Sequence, residues 1–134
     1  MTTEPSKGGP PEASFRRLDD LAALVQDNVV IVLHDVERTT QLRPVVTVDA
    51  YDGVVRIAYG DNFKTPSVHA HTKPAPLAET ADYLQDHVVE DLWAAWPVCS
   101  THDKGAYAEV HDGAAVRWCR FGGHVVARVG ALGK

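Results

Sequence analysis

The chain has 134 residues, of which 45% are hydrophobic, and carries a formal net charge of −5. That length and composition suffice for one domain with a real core, while the acidic balance argues against a general nucleic-acid binder, whose footprint is a basic stripe. No basic start followed by an apolar stretch marks a signal peptide, and the longest apolar run, Val29 to Leu33, is far too short to cross a bilayer, so the expected setting is the cytoplasm, where thiols stay reduced.

In chain order, residues 1–14 hold Pro5, Gly8, Gly9, Pro10 and Pro11 with almost nothing apolar. Such a stretch does not bury enough surface to offset its ordering entropy and reads as a flexible tail. Residues 15–95 read as an α+β body. Phe15, Leu18, Leu21, Ala22 and Val25 recur at helical spacing, which predicts a first helix over Phe15–Gln26. Asp27-Asn28 is expected to break it, and the β-branched run Val29–His34 then reads as a buried strand. Pro44–Tyr51 and Val54–Tyr59 flank Asp52-Gly53, the signal of a two-residue hairpin. Val46, Val48 and Ala50 should share one face, and Thr47, Asp49 and Tyr51 the other. A loop over Gly60–Pro66, a short edge strand at Ser67–Thr72 and a Pro-rich connector follow. The second helix is expected over Leu77–Ala95, with Leu77, Ala81, Leu84, Val88, Leu92 and Ala95 on one face and Pro97 ending it.

Residues 96–134 read as a separate small module. Ala106–His111 and Ala114–Cys119 flank Asp112-Gly113 as a second hairpin, and His124–Val129 supplies a third strand. At its base lie the two cysteines of the chain, each with a histidine downstream: Cys99-x2-His102 and Cys119-x4-His124. Two Cys/His pairs joined by one hairpin make a tetrahedral zinc set, with Gly122 and Gly123 opening the second turn so that both ends converge. Trp118 and Phe121 beside one pair, and Trp96 beside the other, are placed to shield the metal. Two buried thiols with two surface histidines, or a Cys99–Cys119 disulfide, are the competing readings. His111 is the substitute ligand if His102 or His124 points away.

A closed set of four protein ligands is structural, because catalytic zinc keeps a position open for water. An enzymatic alternative places His34 beside His69 and His71 as a three-histidine site for zinc or iron. His87 reads as a surface partner of Asp91. No nucleotide-binding loop and no nucleophile elbow are present.

The segment Trp96-Pro97-Val98-Cys99, with His102, Trp118-x-Cys119 and a closing Val129-Gly130-Ala131-Leu132, is similar to small proteins of high-GC actinobacteria to which no activity is assigned, and the same stretch resembles a zinc ribbon. The ribbon resemblance implies metal ligation by Cys99, His102, Cys119 and His124. The fold expected is therefore α+β: a small antiparallel sheet with two helices, plus a C-terminal three-stranded zinc-ribbon-like module packed on them. The expected role is non-enzymatic, with structural zinc and another protein as partner. Arg117, Arg120 and Arg128 form a local basic surface that keeps nucleic acid as the second choice.

Overall fold

The computed structural model describes residues 11–51, 53–60 and 74–133. Among them the chain runs α1 (Pro11–Thr39), β1 (Val46–Tyr51), β2 (Val54–Tyr59), α2 (Pro74–Leu92), β3 (Val98–Cys99), β4 (Lys104–Gly105), β5 (Tyr107–His111), β6 (Ala114–Cys119) and β7 (His124–Arg128). The strands form three antiparallel sheets, β1-β2, β3-β4 and β5-β6-β7. The fold is α+β; the three-stranded sheet carries Cys119 and His124, while Cys99 and His102 lie on β3 and the turn that follows it.

The largest departure from the sequence reading is α1. Neither Asp27-Asn28 nor the valine run interrupts it: one helix continues to Thr39, through the stretch expected as a strand. The stripe explains why. Val25, Val29, Val32 and Val36 follow one another at helical spacing and all are at most 1% exposed. Val30 and His34 between them face solvent. A strand would have turned alternate valines outward. Burying a valine contributes about 1.5–3 kcal/mol, whereas its helix-propensity deficit is at most about 0.7 kcal/mol. Packing therefore overrides the β preference. The helix also begins at Pro11, inside the segment read as a tail; residues 1–10 lie outside the described residues.

The hairpin pairs Val46 with Tyr59 through to Tyr51 with Val54, in the expected register. Val46 and Val48 are half-buried while Thr47 and Asp49 are exposed. Val55 and Ile57 of β2 point into the core beside the α1 valines and Ala81, Leu84 and Val88 of α2. α2 starts at Pro74, so the Pro-rich connector forms its first turn, where proline lacks no needed donor. It stops at Leu92 rather than Ala95, because Trp93 adopts a left-handed φ of 56° before Pro97 is reached. The expected edge strand over Ser67–Thr72 lies outside the described residues.

The C-terminal sheet joins the same core through Ala115, Val129 and Leu132. A polar junction fixes its position. Asp35, fully buried on α1, accepts hydrogen bonds from the backbone N–H groups of Gly130 (2.8 Å) and Leu132 (2.9 Å) and from Arg117 Nη2 (3.1 Å). Arg117 is also fully buried; its Nη1 donates to Gln85 Oε1 of α2 at 3.3 Å, and its guanidinium lies 5.0 Å from the centre of the Trp96 ring. Burial pulls the guanidinium below its ordinary pKa, and Asp35 opposes that pull. Gly130, at φ +99°, lets the chain pass α1: a Cβ there would lie 2.6 Å from Ile31 Cγ2. Removing one partner of a buried ion pair leaves an uncompensated charge, so Asp35→Ala should cost about 3–5 kcal/mol. The exposed change Asp19→Ala should stay within about 0.5 kcal/mol. Urea denaturation of the two variants checks the contrast.

Candidate metal centre

Each cysteine sits at the end of a strand and opens a tight turn. In the first turn the N–H of Asp103 donates to the Cys99 carbonyl at 2.7 Å, with Asp103 at φ 57°. In the second the N–H of Gly123 donates to the Cys119 carbonyl at 2.7 Å, with Gly123 at φ 68°. The two turns are therefore built alike, each closed by a left-handed residue four places after its cysteine. They differ at the third place, which is His102 in the first turn and Gly122 in the second. The reason is steric. A Cβ on residue 122 would lie 2.2 Å from His102 Cε1, so the His102 ring occupies the space a second histidine at that position would need. The second histidine comes two residues later, as His124 at the start of β7, and reaches the cluster from the sheet. Gly122 instead donates its N–H to Cys119 Sγ at 3.3 Å. The longer second spacing follows from this packing.

The structure brings the four predicted residues together. Their ligand atoms all lie within 4.8 Å of one another, with both cysteines buried and both histidines half-buried. Cys99 Sγ is 3.4 Å from His102 Nδ1 and 3.3 Å from His124 Nε2. Cys119 Sγ is 3.5 Å from His102 Nδ1, and the two histidine nitrogens are 3.4 Å apart. A regular tetrahedron around zinc, with bonds of about 2.3 Å to sulfur and about 2.05 Å to nitrogen, has edges of roughly 3.5 Å between sulfur and nitrogen and roughly 3.3 Å between nitrogens. Four of the six edges, at 3.3–3.5 Å, are close to that figure, and the Cys99–Cys119 and Cys119–His124 edges lie within 4.8 Å. His124 Nδ1 is 3.2 Å from the Val125 carbonyl, which fixes the tautomer that turns Nε2 toward the cluster. Burial pushes the Cys99 thiol up. Hydrogen bonds from the His102 side chain and backbone, the Thr101 backbone and Cys119 outweigh it and bring the pKa to about 6. Both cysteines are free thiols, so the disulfide is not formed.

The surroundings differ from expectation in several places. Phe121 packs edge-on against the His102 ring, with centroids 5.2 Å apart. Trp96 is instead a buried core residue whose Nε1 donates to Thr39 Oγ1 at 2.9 Å. Trp118 stacks on His111 at 3.8 Å. His111 itself pairs with Glu109 at 2.8 Å and is not in the cluster. The basic surface read into Arg117, Arg120 and Arg128 loses Arg117 to the interior. His87 stacks on Tyr59 at 4.9 Å, and Asp91 accepts from the Tyr59 hydroxyl at 2.7 Å rather than pairing with His87. His34 is exposed on α1, not at a strand end, and His69 and His71 lie outside the described residues. Among the described residues the Cys/His set is the one grouping of three or more His, Cys, Asp or Glu that can hold a metal ion.

No protein-family model matches the chain, and neither the curated proteins nor the solved structures yield a match.

Sequence reasoning missed Gly122 as the seat of the His102 ring, and only its place midway between Cys119 and His124 hinted at the role. Gly122→Ala should displace His102 and weaken metal binding by roughly tenfold or more, the scale of losses when a ligand's support is removed. Competition against a chromophoric chelator measures it. A metal ion held by this cluster would require the Cys99 thiolate. Its pKa of about 6 lies below the ordinary thiol value of 9.0, so affinity for a metal held there should fall more steeply as pH is lowered through about 6. A chelator titration from pH 5 to pH 8 reads that slope.

Proposed function

We propose that this protein binds one zinc ion through Cys99, His102, Cys119 and His124, and that the metal has a structural role. The observation that carries the reading is the convergence of two thiols and two imidazole nitrogens within 4.8 Å, four of their six separations being 3.3–3.5 Å, close to the edges of a zinc tetrahedron. Charge supports it as well: two thiolates balance a divalent cation, and two neutral imidazoles complete the set. Four protein ligands close the coordination sphere and leave no position for a reacting water, so the centre does no chemistry.

What the metal supplies is fold. β3 and β4 have two residues each, and the loop between β6 and β7 is held by short-range hydrogen bonds. Structural zinc in peptide hosts contributes about 10–16 kcal/mol, far more than such short strands gain by burial. The working part of the protein is then the surface that the metal holds in place, and its action is non-enzymatic binding of another macromolecule.

Protein purified without chelator should carry one zinc per chain by elemental analysis, and Cys99→Ser or Cys119→Ser should lose it. Stripping with a strong chelator should lower the melting temperature and abolish the near-ultraviolet signal of the C-terminal aromatics. Metal-free protein that keeps its melting temperature when zinc is added sinks the proposal.

A further inference from the structure

Two solvent-exposed rings stand at the zinc end of the molecule, each with a cation laid over it. Phe121 is 69% exposed, and Lys104 Nζ lies 5.5 Å from its ring centre. Tyr107 is 43% exposed, and the Arg120 guanidinium lies 3.8 Å from its ring centre. Arg120 and Phe121 are consecutive, so the two pairs are neighbours across one peptide unit. Glu109 accepts from Arg120 Nε and holds the guanidinium over Tyr107, while the two Nη groups make no hydrogen bond among the described residues. Lys104 likewise has no ion pair among the described residues.

Charge along the chain has the same polarity. Residues 96–134 carry five basic and three acidic side chains and residues 1–95 eight basic and fifteen acidic; with Arg117 and Asp35 buried against one another, the remaining side chains net +1 in the first stretch and −6 in the second. Zinc cancels the two thiolates and so preserves the positive end. A polyanion meets less repulsion here than elsewhere on the chain, with Glu109 and Asp82 the acidic groups beside Arg120. We propose that this face, built on Lys104, Tyr107, Arg120 and Phe121, binds single-stranded nucleic acid. The inference rests on the zinc reading, because the second turn that carries Arg120 and Phe121 is closed by the metal.

The chemistry fits one ligand class. Unstacked bases lie flat on aromatic rings and on guanidinium planes, and the flanking cations meet the phosphates. An acidic peptide would use the cations and leave the rings unused, so substitution of the rings separates the two.

The test uses zinc-loaded full-length protein, a fluorescein-labelled twelve-residue oligothymidylate and fluorescence anisotropy at low salt. Zinc content is measured on the same samples. Binding should weaken with salt at a log–log slope near about −2, the value for roughly three phosphates on a single strand. Phe121→Ala and Tyr107→Ala should each weaken it by about tenfold, and Lys104→Glu should flatten the salt slope, with one zinc per chain retained in all three. A twelve-residue oligoglutamate should compete poorly. One zinc per chain with no oligonucleotide binding overturns this inference and leaves the zinc reading standing. Absence of zinc overturns both. Binding unchanged by Phe121→Ala and Tyr107→Ala, or displaced equally well by oligoglutamate, also overturns it, because then only charge is being sensed.

Discussion

Asp35 receives hydrogen bonds from two separate stretches of chain, the strand position Arg117 and the tail from Gly130 to Leu132. A carboxylate taken fully out of water persists only if its lone pairs are satisfied. Three donors converge on this one. Each donor is thereby held in place as well: Arg117 orients β6, and the two backbone N–H groups lay the C-terminal tail along α1. Arg38 on the next turn adds a hydrogen bond to the Gly130 carbonyl at 2.9 Å. The apolar core makes the burial favourable, but it is non-directional. The junction supplies the direction, deciding how the C-terminal sheet sits on the helices.

Strand β6 shows how closely the junction and the metal centre are connected. Ala115, Arg117 and Cys119 alternate along it and all are buried. One face of one strand thus offers in turn a core contact, an ion-pair partner and a member of the Cys/His cluster. A slip of a single residue would turn all three onto the opposite face, which Ala114, Val116 and Trp118 occupy. The register shift against β7 falls between Arg117 and Trp118, beside the position where this face passes from the ion pair to the Cys/His cluster.

The two cysteine turns share a backbone plan and differ where sterics demand it. Placing glycine at residue 122 makes room for the His102 ring, and the displaced histidine function moves to His124 on β7. The cluster is therefore held by two elements that do not depend on one another's backbone, the β3–β4 turn and the β6–β7 connection. A metal shared between them would act as a cross-link. The exposed aromatic–cation pairs are carried on the same turns and strands, so the surface and the staple are one construction seen from its two sides.

Much of this was legible in the amino-acid order. The Asp-Gly hairpins, the alternation along β1, the apolar stripe of α2 and the four Cys/His positions are all local signals, encoded in turn chemistry, periodicity and ligand spacing. The identity of residues 29–34 was not. A valine-rich run is compatible with strand or helix, and which one forms depends on what lies against it. Only the apposition of α2 and β2 makes the Val25–Val29–Val32–Val36 stripe the favourable choice. The same holds for Arg117, which reads as surface charge until Asp35, 82 positions away, is brought to 3.1 Å. Local chemistry determined the hairpins, most of α2 and the positions of the Cys/His cluster. The tertiary structure decided which charges are buried, which rings stay in water and why the second cysteine turn is longer, because each of these depends on a neighbour distant in the chain.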